Sequence, residues 1–323
     1  MTIDAPSLLR AAATAAGAQH HPPSTLYVVA TPIGNLADLT LRAVHVLALA
    51  DTVACEDTRN SGALLRHLGL DKALLAVHAH NETQAAQRVI ALLQAGQRVA
   101  FVSDAGTPAI SDPGAALVAA VAAAGHRVVP VPGPSSAVTA MSVAGDTLGN
   151  GFRFIGFLPA KGAQRREALL RSLRDEAPQV LFEAPHRIES LARDLAEAAP
   201  ARTLTLCREL TKQFETVATM PAAALPGWLA AEATRLRGEF VLVLHGTPQA
   251  SAQDAGALPA PLTETLAVLV EVLPLKQAVA LATGVSGAPR NAVYAAALAL
   301  RQARDGSAED DAVDDTSTED PPG

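Results

Sequence analysis

The richest concentration of residues able to do chemistry in this sequence is the loop at positions 103–114. Asp104, Gly106, Pro108 and Asp112 fall within it, followed by a second proline and a second glycine. A single turn does not need so many glycines, prolines and carboxylates, and glycine lets the backbone approach a ligand closely. Backbone amides in such a loop can bind a carboxylate, and Asp104 can bind an ammonium or hydroxyl groups. We therefore expect the loop to bind a zwitterionic small molecule.

Two shorter turns have a related composition. Thr31–Asn35 combines Pro32, which fixes the backbone, with Gly34, which lets the chain turn tightly. The turn matches neither the dinucleotide-binding nor the Walker pattern, so it is either structural or part of a ligand site. Pro132–Ser136 begins a predicted helix, and its serines can cap that helix or contact a ligand.

Two charged loops in the second half of the chain are further candidates. In the first loop an acid, a potential base and a cation lie close together, at Glu183, His186 and Arg187. The second loop, at 208–215, repeats this mixture. A charged loop is usually solvated surface, but two of them after consecutive predicted strands favour a functional interpretation.

Five short apolar runs precede the polar or glycine-rich turns of the first half. The runs are 26–30, 52–55, 74–77, 99–102 and 128–131. Alanine- and leucine-rich stretches typical of helices separate them, which predicts repeated β-α units and a mostly parallel sheet. The carboxyl ends of parallel strands share one edge, where ligands bind. We therefore expect all five turns to converge on one site.

Glycines at positions 145, 149 and 151 interrupt this pattern and predict a domain boundary near residue 147. The fold class is α/β, with a parallel-sheet domain at 25–147 and a mixed-sheet domain at 148–247. A disordered leader is predicted at 1–24, a helix-turn-helix-like extension at 262–304 with helices at 264–283 and 290–304, and an acidic disordered tail at 305–323.

Composition limits the classes of function. The net charge of −7 arises from seven acids after residue 305, so the rest of the chain is neutral and a nucleic-acid partner stays possible. No apolar stretch is long enough to span a membrane. Cys55 and Cys207 are far apart and are expected to fill core strands of a cytoplasmic protein. No Cys/His cluster has metal-ligand spacing, so no metal is expected.

An ordered set of motifs resembles one family. The motifs are TPIGN, EDTR, HNE, SDAGTPAISDPG, VPGPSS, FIGFLP, FEAPHR, RELTKQFE and GEFVLV. Together, from about Thr25 to Gly246, they resemble the bacterial ribosomal RNA small subunit 2′-O-ribose methyltransferase I family of the tetrapyrrole methylase superfamily. Tetrapyrrole-modifying members share the glycine-rich loops but lack EDTR, HNE and FEAPHR. The leader, the acidic tail and a longer turn at Gly287–Pro289 depart from the family pattern.

The resemblance implies a two-domain tetrapyrrole methylase-like fold, a homodimer, and S-adenosylmethionine in the cleft between the domains. It implies methylation of the ribose 2′-hydroxyl of a cytidine, cytidine 1402, in the decoding region of 16S ribosomal RNA in the small ribosomal subunit. Carried over onto this sequence, the cofactor-binding residues are Pro32, Asp104, Thr107, Ser135, Ser136 and Phe182, with Gly106 allowing close backbone approach.

Methylation of a ribose hydroxyl, a poor nucleophile, requires a base to accept its proton. The catalytic candidates are Glu183, His186, Glu209, Lys212, Glu215 and His80, and the base is one of the glutamates or histidines among them. Arg59, Arg187 and Lys212 are predicted to bind RNA phosphates, for which arginine is the better bidentate partner.

Two other functions are compatible with the sequence. A tetrapyrrole-precursor methyltransferase would methylate uroporphyrin-like compounds rather than ribosomal subunits. A non-catalytic ribosome-assembly factor with this fold would bind S-adenosylmethionine without turnover, but the many ionisable residues around the predicted cleft argue against it.

Overall fold

The computed structural model describes residues 4–78, 80–149, 151–160, 162–247, 258 and 260–310. The described residues up to Thr247 form one compact unit, and those from Leu258 onward form a second. Both predicted α/β domains lie in the first unit.

A five-stranded, fully parallel sheet forms the first half of this unit, as predicted. Its strands are β1 (Thr25–Val29), β2 (Thr52–Cys55), β3 (Ala73–Ala76), β4 (Arg98–Val102) and β5 (Arg127–Val131). Their order across the sheet is β3-β2-β4-β1-β5, so β1 lies between β4 and β5. The helices are α1 (Ala5–Ala16), α2 (Leu41–Leu49), α3 (Thr58–His67), α4 (Glu82–Gln94), α5 (Ala115–Ala123) and α6 (Ser136–Ala144), with a short 3-10 helix at Leu36–Asp38.

Alternate side chains of these strands enter two cores on opposite faces of the sheet. Tyr27 and Val29 pack with residues of α2 and α3. Leu26 and Phe101 pack with residues of α4 and α5. The sheet is therefore covered on both faces, which explains why its strands read as continuous apolar runs.

The predicted disordered leader is wrong for residues 5–16, which form α1. This helix packs against α2, and its small residues Ala12 and Ala16 are buried there. Leu8 and Leu9 pack against the same core. The spacing of these residues gives an apolar stripe, but alanine dominates the segment and hides that stripe in the sequence.

A five-stranded mixed sheet forms the second half of the unit, as predicted. Its strands are β6 (Arg153–Phe157), β7 (Gln179–Glu183), β8 (Thr203–Arg208), β9 (Thr216–Pro221) and β10 (Phe240–Leu244). The order is β6-β7-β10-β8-β9, and only the β6/β7 pair is parallel. The helices are α7 (Gly162–Leu173), α8 (Ile188–Ala198) and α9 (Leu225–Ala230), with 3-10 turns at Ala222–Ala224 and Ala233–Leu236.

Helix α6 connects the two sheets through a face made of alanine. Ala137, Ala140 and Ala144 are buried in a cluster with Val180 of β7 and Val243 of β10. Small side chains let the helix axis come close to the second sheet. The amino end of α6 is thereby fixed relative to both sheets.

The described part of the second unit contains three helices where two were predicted. They are α10 (Ala260–Val272), α11 (Leu275–Ser286) and α12 (Arg290–Asp310). The predicted helix at 264–283 is divided because Pro274, which immediately precedes α11, has no amide hydrogen to continue a helix. Helix α12 includes positions 305–310 of the predicted tail, and 311–323 lie outside the described residues. Within the described residues, no helix is long and apolar enough to cross a membrane.

We expect Ala12→Asp to destabilise the first unit because Ala12, on the buried face of α1, is only 1% exposed. Burial of an unpaired polar group costs about 1–3 kcal/mol in the free energy of unfolding. Ala11→Asp makes the same change at an exposed position of the same helix and is the control. Thermal denaturation measures both variants, and equal melting temperatures would show that α1 does not pack against the fold.

Candidate active site

A cavity of about 350 Å³ lies between turns of the first sheet and strands and turns of the second. Its walls carry more apolar than polar side chains, as is usual for small-molecule sites. The lining residues are Ile33, Ala105, Gly106, Thr107, Ile110, Ser111, Asp112, Ser135, Ser136, Ala137, Phe157, Phe182, Glu183, Ala184, Pro185, Leu210, Glu239, Phe240 and Val241.

Three of the five turns predicted to converge line this cavity, namely those after β1, β4 and β5. These strands are neighbours in the sheet, whereas β2 and β3 lie toward the far edge. The HNE turn after β3 supports the site indirectly. Glu82 accepts hydrogen bonds from the amides of Gly114, Ala116 and Leu117 at 2.8–3.1 Å and so caps α5.

The turn after β2 also acts indirectly, through Asp104. The carboxylate of Asp104 accepts hydrogen bonds from the Asp57 amide at 3.1 Å and from the Asn60 side chain at 2.8 Å. Asp104 is therefore directed at the EDTR turn and is not among the cavity-lining residues. Arg59 lies 2.6 Å from Asp57, and its hydrogen bonds lower the pKa of Asp57 to about 2. The Arg59 side chain is 89% exposed and remains accessible to a partner.

Gly106 joins two of the turns through its backbone. Its amide donates to the Thr31 carbonyl and its carbonyl accepts from the Thr31 amide, at 3.0 and 2.9 Å. The Gly106 amide is therefore not free for a ligand, contrary to our expectation for this loop. With φ of +77° and Ile33 only 3.3 Å from the place of a Cβ, position 106 favours glycine. Pro32 precedes Ile33 but does not itself line the cavity.

The turn after β5 presents hydroxyl groups and the start of a helix to the cavity. Thr107 donates a hydrogen bond to the Pro134 carbonyl at 3.0 Å and links the turns after β4 and β5. Ser135 occupies the N-cap position of α6, where its side chain makes no capping hydrogen bond. The hydroxyl of Ser135 and the amino end of α6 can therefore receive an anionic group.

Aromatic rings form the part of the wall contributed by β6 and β7. The ring of Phe182 lies 5.6 Å from that of Phe157 and 5.0 Å from that of Phe154, both in edge-to-face contact. Phe182 was predicted as a cofactor-binding residue, but Phe157 was not. Phe157 lies in the FIGFLP motif, which could have indicated it.

Glu183 is buried and paired with two arginines. Its Oε2 lies 3.1 Å from Arg165 Nη1, and its Oε1 accepts the Ala184 amide at 2.9 Å. The Nε of Arg187 lies 2.9 Å from the same Oε1, an ion pair without hydrogen-bond geometry. Both carboxylate oxygens are therefore engaged, which argues against Glu183 as the base.

Arg187 is also used inside the protein. Its Nη2 donates to the Leu158 carbonyl at 2.7 Å, and its side chain is mostly buried. The geometry therefore argues against the phosphate contact predicted for Arg187. The sequence shows a cation at this turn, but its partners are apparent only from the structure.

Lys212 lies between two carboxylates, 2.8 Å from Glu209 and 3.0 Å from Glu239. Burial lowers the pKa of Lys212, but its hydrogen bonds to both glutamates outweigh this and raise it. Burial likewise raises the pKa of Glu209, and the bonds from Lys212 and the Glu239 amide reverse the shift. Lys212 is therefore a cation held in place by two carboxylates. Because its ammonium is already paired with them, the geometry argues against the predicted contact of Lys212 with an RNA phosphate.

The side chains of Lys212, Glu209 and Glu239 form an ion cluster that packs closely against the turn after β1. A Cβ at Gly34 would lie 2.5 Å from Lys212 Cγ, so only glycine fits. Glu209 and Thr211 have φ of +53° and +65°, which is unfavourable for residues with side chains. They flank Leu210, which lines the cavity. The strained loop after β8 thus places Leu210 in the wall of the cavity.

The remaining base candidates do not line the cavity. Glu215 accepts the Thr211 amide at 2.6 Å and supports the same loop. His80 and His186 are exposed. Asp112, part of the loop expected to bind a ligand but not named as a base, lines the cavity, and burial followed by the charge of Asp104 raises its pKa.

Comparison with known proteins identifies the family. A model described as Tetrapyrrole (Corrin/Porphyrin) Methylases matches residues 25–226, and one described as RsmI C-terminal HTH domain matches 256–301. The chain is 46% identical to "Ribosomal RNA small subunit methyltransferase I" of Escherichia coli O157:H7, over 84% of this chain and 94% of that protein. The chain belongs to this methyltransferase family.

Further similarities agree with the assignment. The protein of the same name from Pseudomonas aeruginosa is 44% identical over 85% of this chain and 96% of its own length. A solved cobalt precorrin-4 methyltransferase shares the fold, with a TM-score of 0.51, 16% identity and coverage of 68% of this chain and 94% of that one. As a member of the family, the chain is an S-adenosylmethionine-dependent methyltransferase.

We expect Glu183→Gln to destabilise this methyltransferase strongly, because Arg187 then has no carboxylate partner and Arg165 keeps only the partly exposed Asp194, 3.4 Å away. Loss of one partner of a buried ion pair costs about 3–5 kcal/mol. Glu189→Gln, at an exposed position in the first turn of α8, is the control, with a change within about 0.5 kcal/mol. Urea denaturation compares the two; similar midpoints would show that the arginines do not depend on Glu183.

Proposed function

We propose that this methyltransferase methylates the ribose 2′-hydroxyl of a cytidine in the decoding region of 16S ribosomal RNA. The observation that carries the proposal is a joint match of two parts of the chain: the methylase domain at 25–226 and the C-terminal segment at 256–301 both correspond to relatives named ribosomal RNA small subunit methyltransferase I. The exposed arginine of the EDTR turn, Arg59, supports a polyanionic partner.

The cavity fits S-adenosylmethionine in size and in chemistry. Its volume of about 350 Å³ lies within the range of small-molecule pockets. Ser135, Ser136 and the amino end of α6 would hold the carboxylate, because the helix end offers free donors. Phe157 and Phe182 would contact the adenine ring through their faces and edges. When bound, the cofactor supplies a methyl group already activated by a sulfonium.

The protein must then align the ribose hydroxyl, exclude water and accept a proton. Ile33, Leu210 and Val241 supply apolar surface for water exclusion. The carboxylates of Glu183, Glu209 and Glu215 are engaged by neighbouring groups. His80 and His186 would have to be brought to the cavity by substrate binding to act.

The proposal extends to partners and location. We infer that the RNA is presented within the small ribosomal subunit, that the enzyme works as a homodimer, and that it acts in the cytoplasm. Similarity to relatives named for the small subunit supports the first inference. The homodimer comes from the family resemblance and the cytoplasmic location from the two separate cysteines, and both stay predictions.

A tetrapyrrole-precursor methyltransferase is the second candidate because of the shared fold. The precorrin-4 methyltransferase similarity favours it, but at 16% identity that similarity concerns the fold alone. The second candidate requires methyl acceptance by a uroporphyrin-like compound.

The decisive experiment uses small subunits from a strain that lacks the gene. Purified enzyme and S-adenosylmethionine should restore one ribose methylation in the decoding region, located by mass mapping of the RNA. Free 16S RNA and uroporphyrinogen III are assayed in parallel. Methylation of the tetrapyrrole but not of RNA would overturn the proposal.

We expect Phe157→Ala to weaken S-adenosylmethionine binding about tenfold, because it removes an aromatic ring from the cavity wall. Phe214→Ala is the matched control, since Phe214 is 70% exposed and outside the cavity lining. Isothermal titration calorimetry gives both dissociation constants. Equal values for the two variants would mean that the aromatic wall does not contact the cofactor.

A further inference from the structure

Three carboxylates line the cavity in the described part of the chain, those of Asp112, Glu183 and Glu239. Glu183 is saturated by Arg165, Arg187 and the Ala184 amide. A carboxylate in that position cannot take up a proton without leaving buried arginines unpaired. The choice of proton acceptor among the cavity carboxylates therefore lies between Asp112 and Glu239.

Glu239 combines access with a fixed position. Its side chain is 77% exposed, so a macromolecular substrate can reach it. Its Oε2 accepts a hydrogen bond from Lys212 at 3.0 Å, and within the described residues its Oε1 has no hydrogen-bond donor. Its backbone amide donates to Glu209 Oε1 at 2.9 Å. One oxygen is thus held while the other stays available.

Lys212 is itself immobilised, which makes it suited to orient Glu239. Its ammonium contacts Glu209 at 2.8 Å, and its side-chain stem lies on Gly34. Gly238 permits the arrangement, since a Cβ there would lie 2.6 Å from Glu209. Three segments of the chain, the turn after β1, the loop after β8 and the start of β10, meet at this one ion cluster.

We propose that Glu239 accepts the proton of the ribose hydroxyl and that Lys212 is the positioning residue that orients it. The inference rests on the proposed function. The ribose oxygen forms a bond to the methyl carbon, the carbon–sulfur bond breaks, and sulfur keeps the electron pair. The ribose proton passes to Glu239 Oε1 and then to solvent, so no other reactant is needed.

Asp112 is the competing acceptor. It lies in the turn after β4, where burial and then the charge of Asp104 raise its pKa. Burial and then the charges of Asp112 and Asp104 raise the pKa of Glu56. No described lysine or arginine pairs with Asp112, so no cation fixes the direction of its carboxylate. The cluster around Lys212 supplies that orientation for Glu239.

The test is single-turnover methylation of small subunits with saturating enzyme and S-adenosylmethionine. Glu239→Gln should lower the rate about 100-fold or more, the range for loss of a general base, with cofactor and subunit dissociation constants within about twofold. Glu232→Gln, an exposed glutamate paired with Arg235, is the control and should retain the wild-type rate.

A second pair of variants tests the positioning role. Lys212→Met should shift the acidic limb of the rate–pH profile to higher pH, because loss of the ammonium that faces Glu239 and Glu209 makes a carboxylate easier to protonate. Lys212→Arg should restore the wild-type limb. An unchanged profile for Lys212→Met would contradict the orienting role.

Two results would overturn the assignment of Glu239. One is a wild-type rate for Glu239→Gln; the other is a 100-fold loss in Asp112→Asn with only a few-fold loss in Glu239→Gln. Wild-type enzyme is assayed first on the same subunits. Absence of product from every enzyme would therefore count against the proposed function, whereas equal activity of wild type and Glu239→Gln counts against this inference.

Discussion

The packing of α6 on the second sheet is the contact on which the candidate site depends. The alanines on one face of α6 lie against Val180 and Val243, while its first residues, Ser135 and Ser136, line the cavity. A larger side chain on that face would push the helix away from the sheet, since protein interiors are packed without spare volume. The side chains of Ala137, Ala140 and Ala144 therefore set the distance between the start of α6, which lines the cavity, and the second sheet.

Electrostatic pairs complete what this packing begins. Glu183 forms one buried cluster with Arg165 of α7 and with Arg187 of the turn after β7. Lys212 forms ion pairs with Glu209 and Glu239 in a second cluster at the cavity. Burying charges is costly unless every group is paired, so the buried Glu183 cluster is sensitive to removal of one member, whereas the Lys212 cluster contains the exposed Glu239 and is less sensitive.

The fold could be predicted from the sequence because apolar runs and helical stretches alternate regularly, and this pattern fixes a parallel sheet. The side-chain partners could not be predicted. Asp104, Arg187 and Lys212 have the residue types expected for ligand binding, yet each is directed at another part of the protein. A sequence motif shows which chemical groups are present, whereas the order of the strands in the sheet determines which of these groups are in contact. Helix α1 was missed because alanine carries little hydrophobic signal although it packs closely.

The distribution of charge around the cavity has a chemical consequence. A fully paired carboxylate such as Glu183 contributes to the structure of the cavity wall, and its protonation would have a high free-energy cost. Where a carboxylate is paired on one oxygen and exposed, as at Glu239, it keeps a defined direction and an available oxygen. Proton transfer requires both properties at once, because an unoriented group loses the advantage of proximity and a saturated one has no lone pair to offer. The half-paired carboxylate at the edge of the cavity satisfies both requirements.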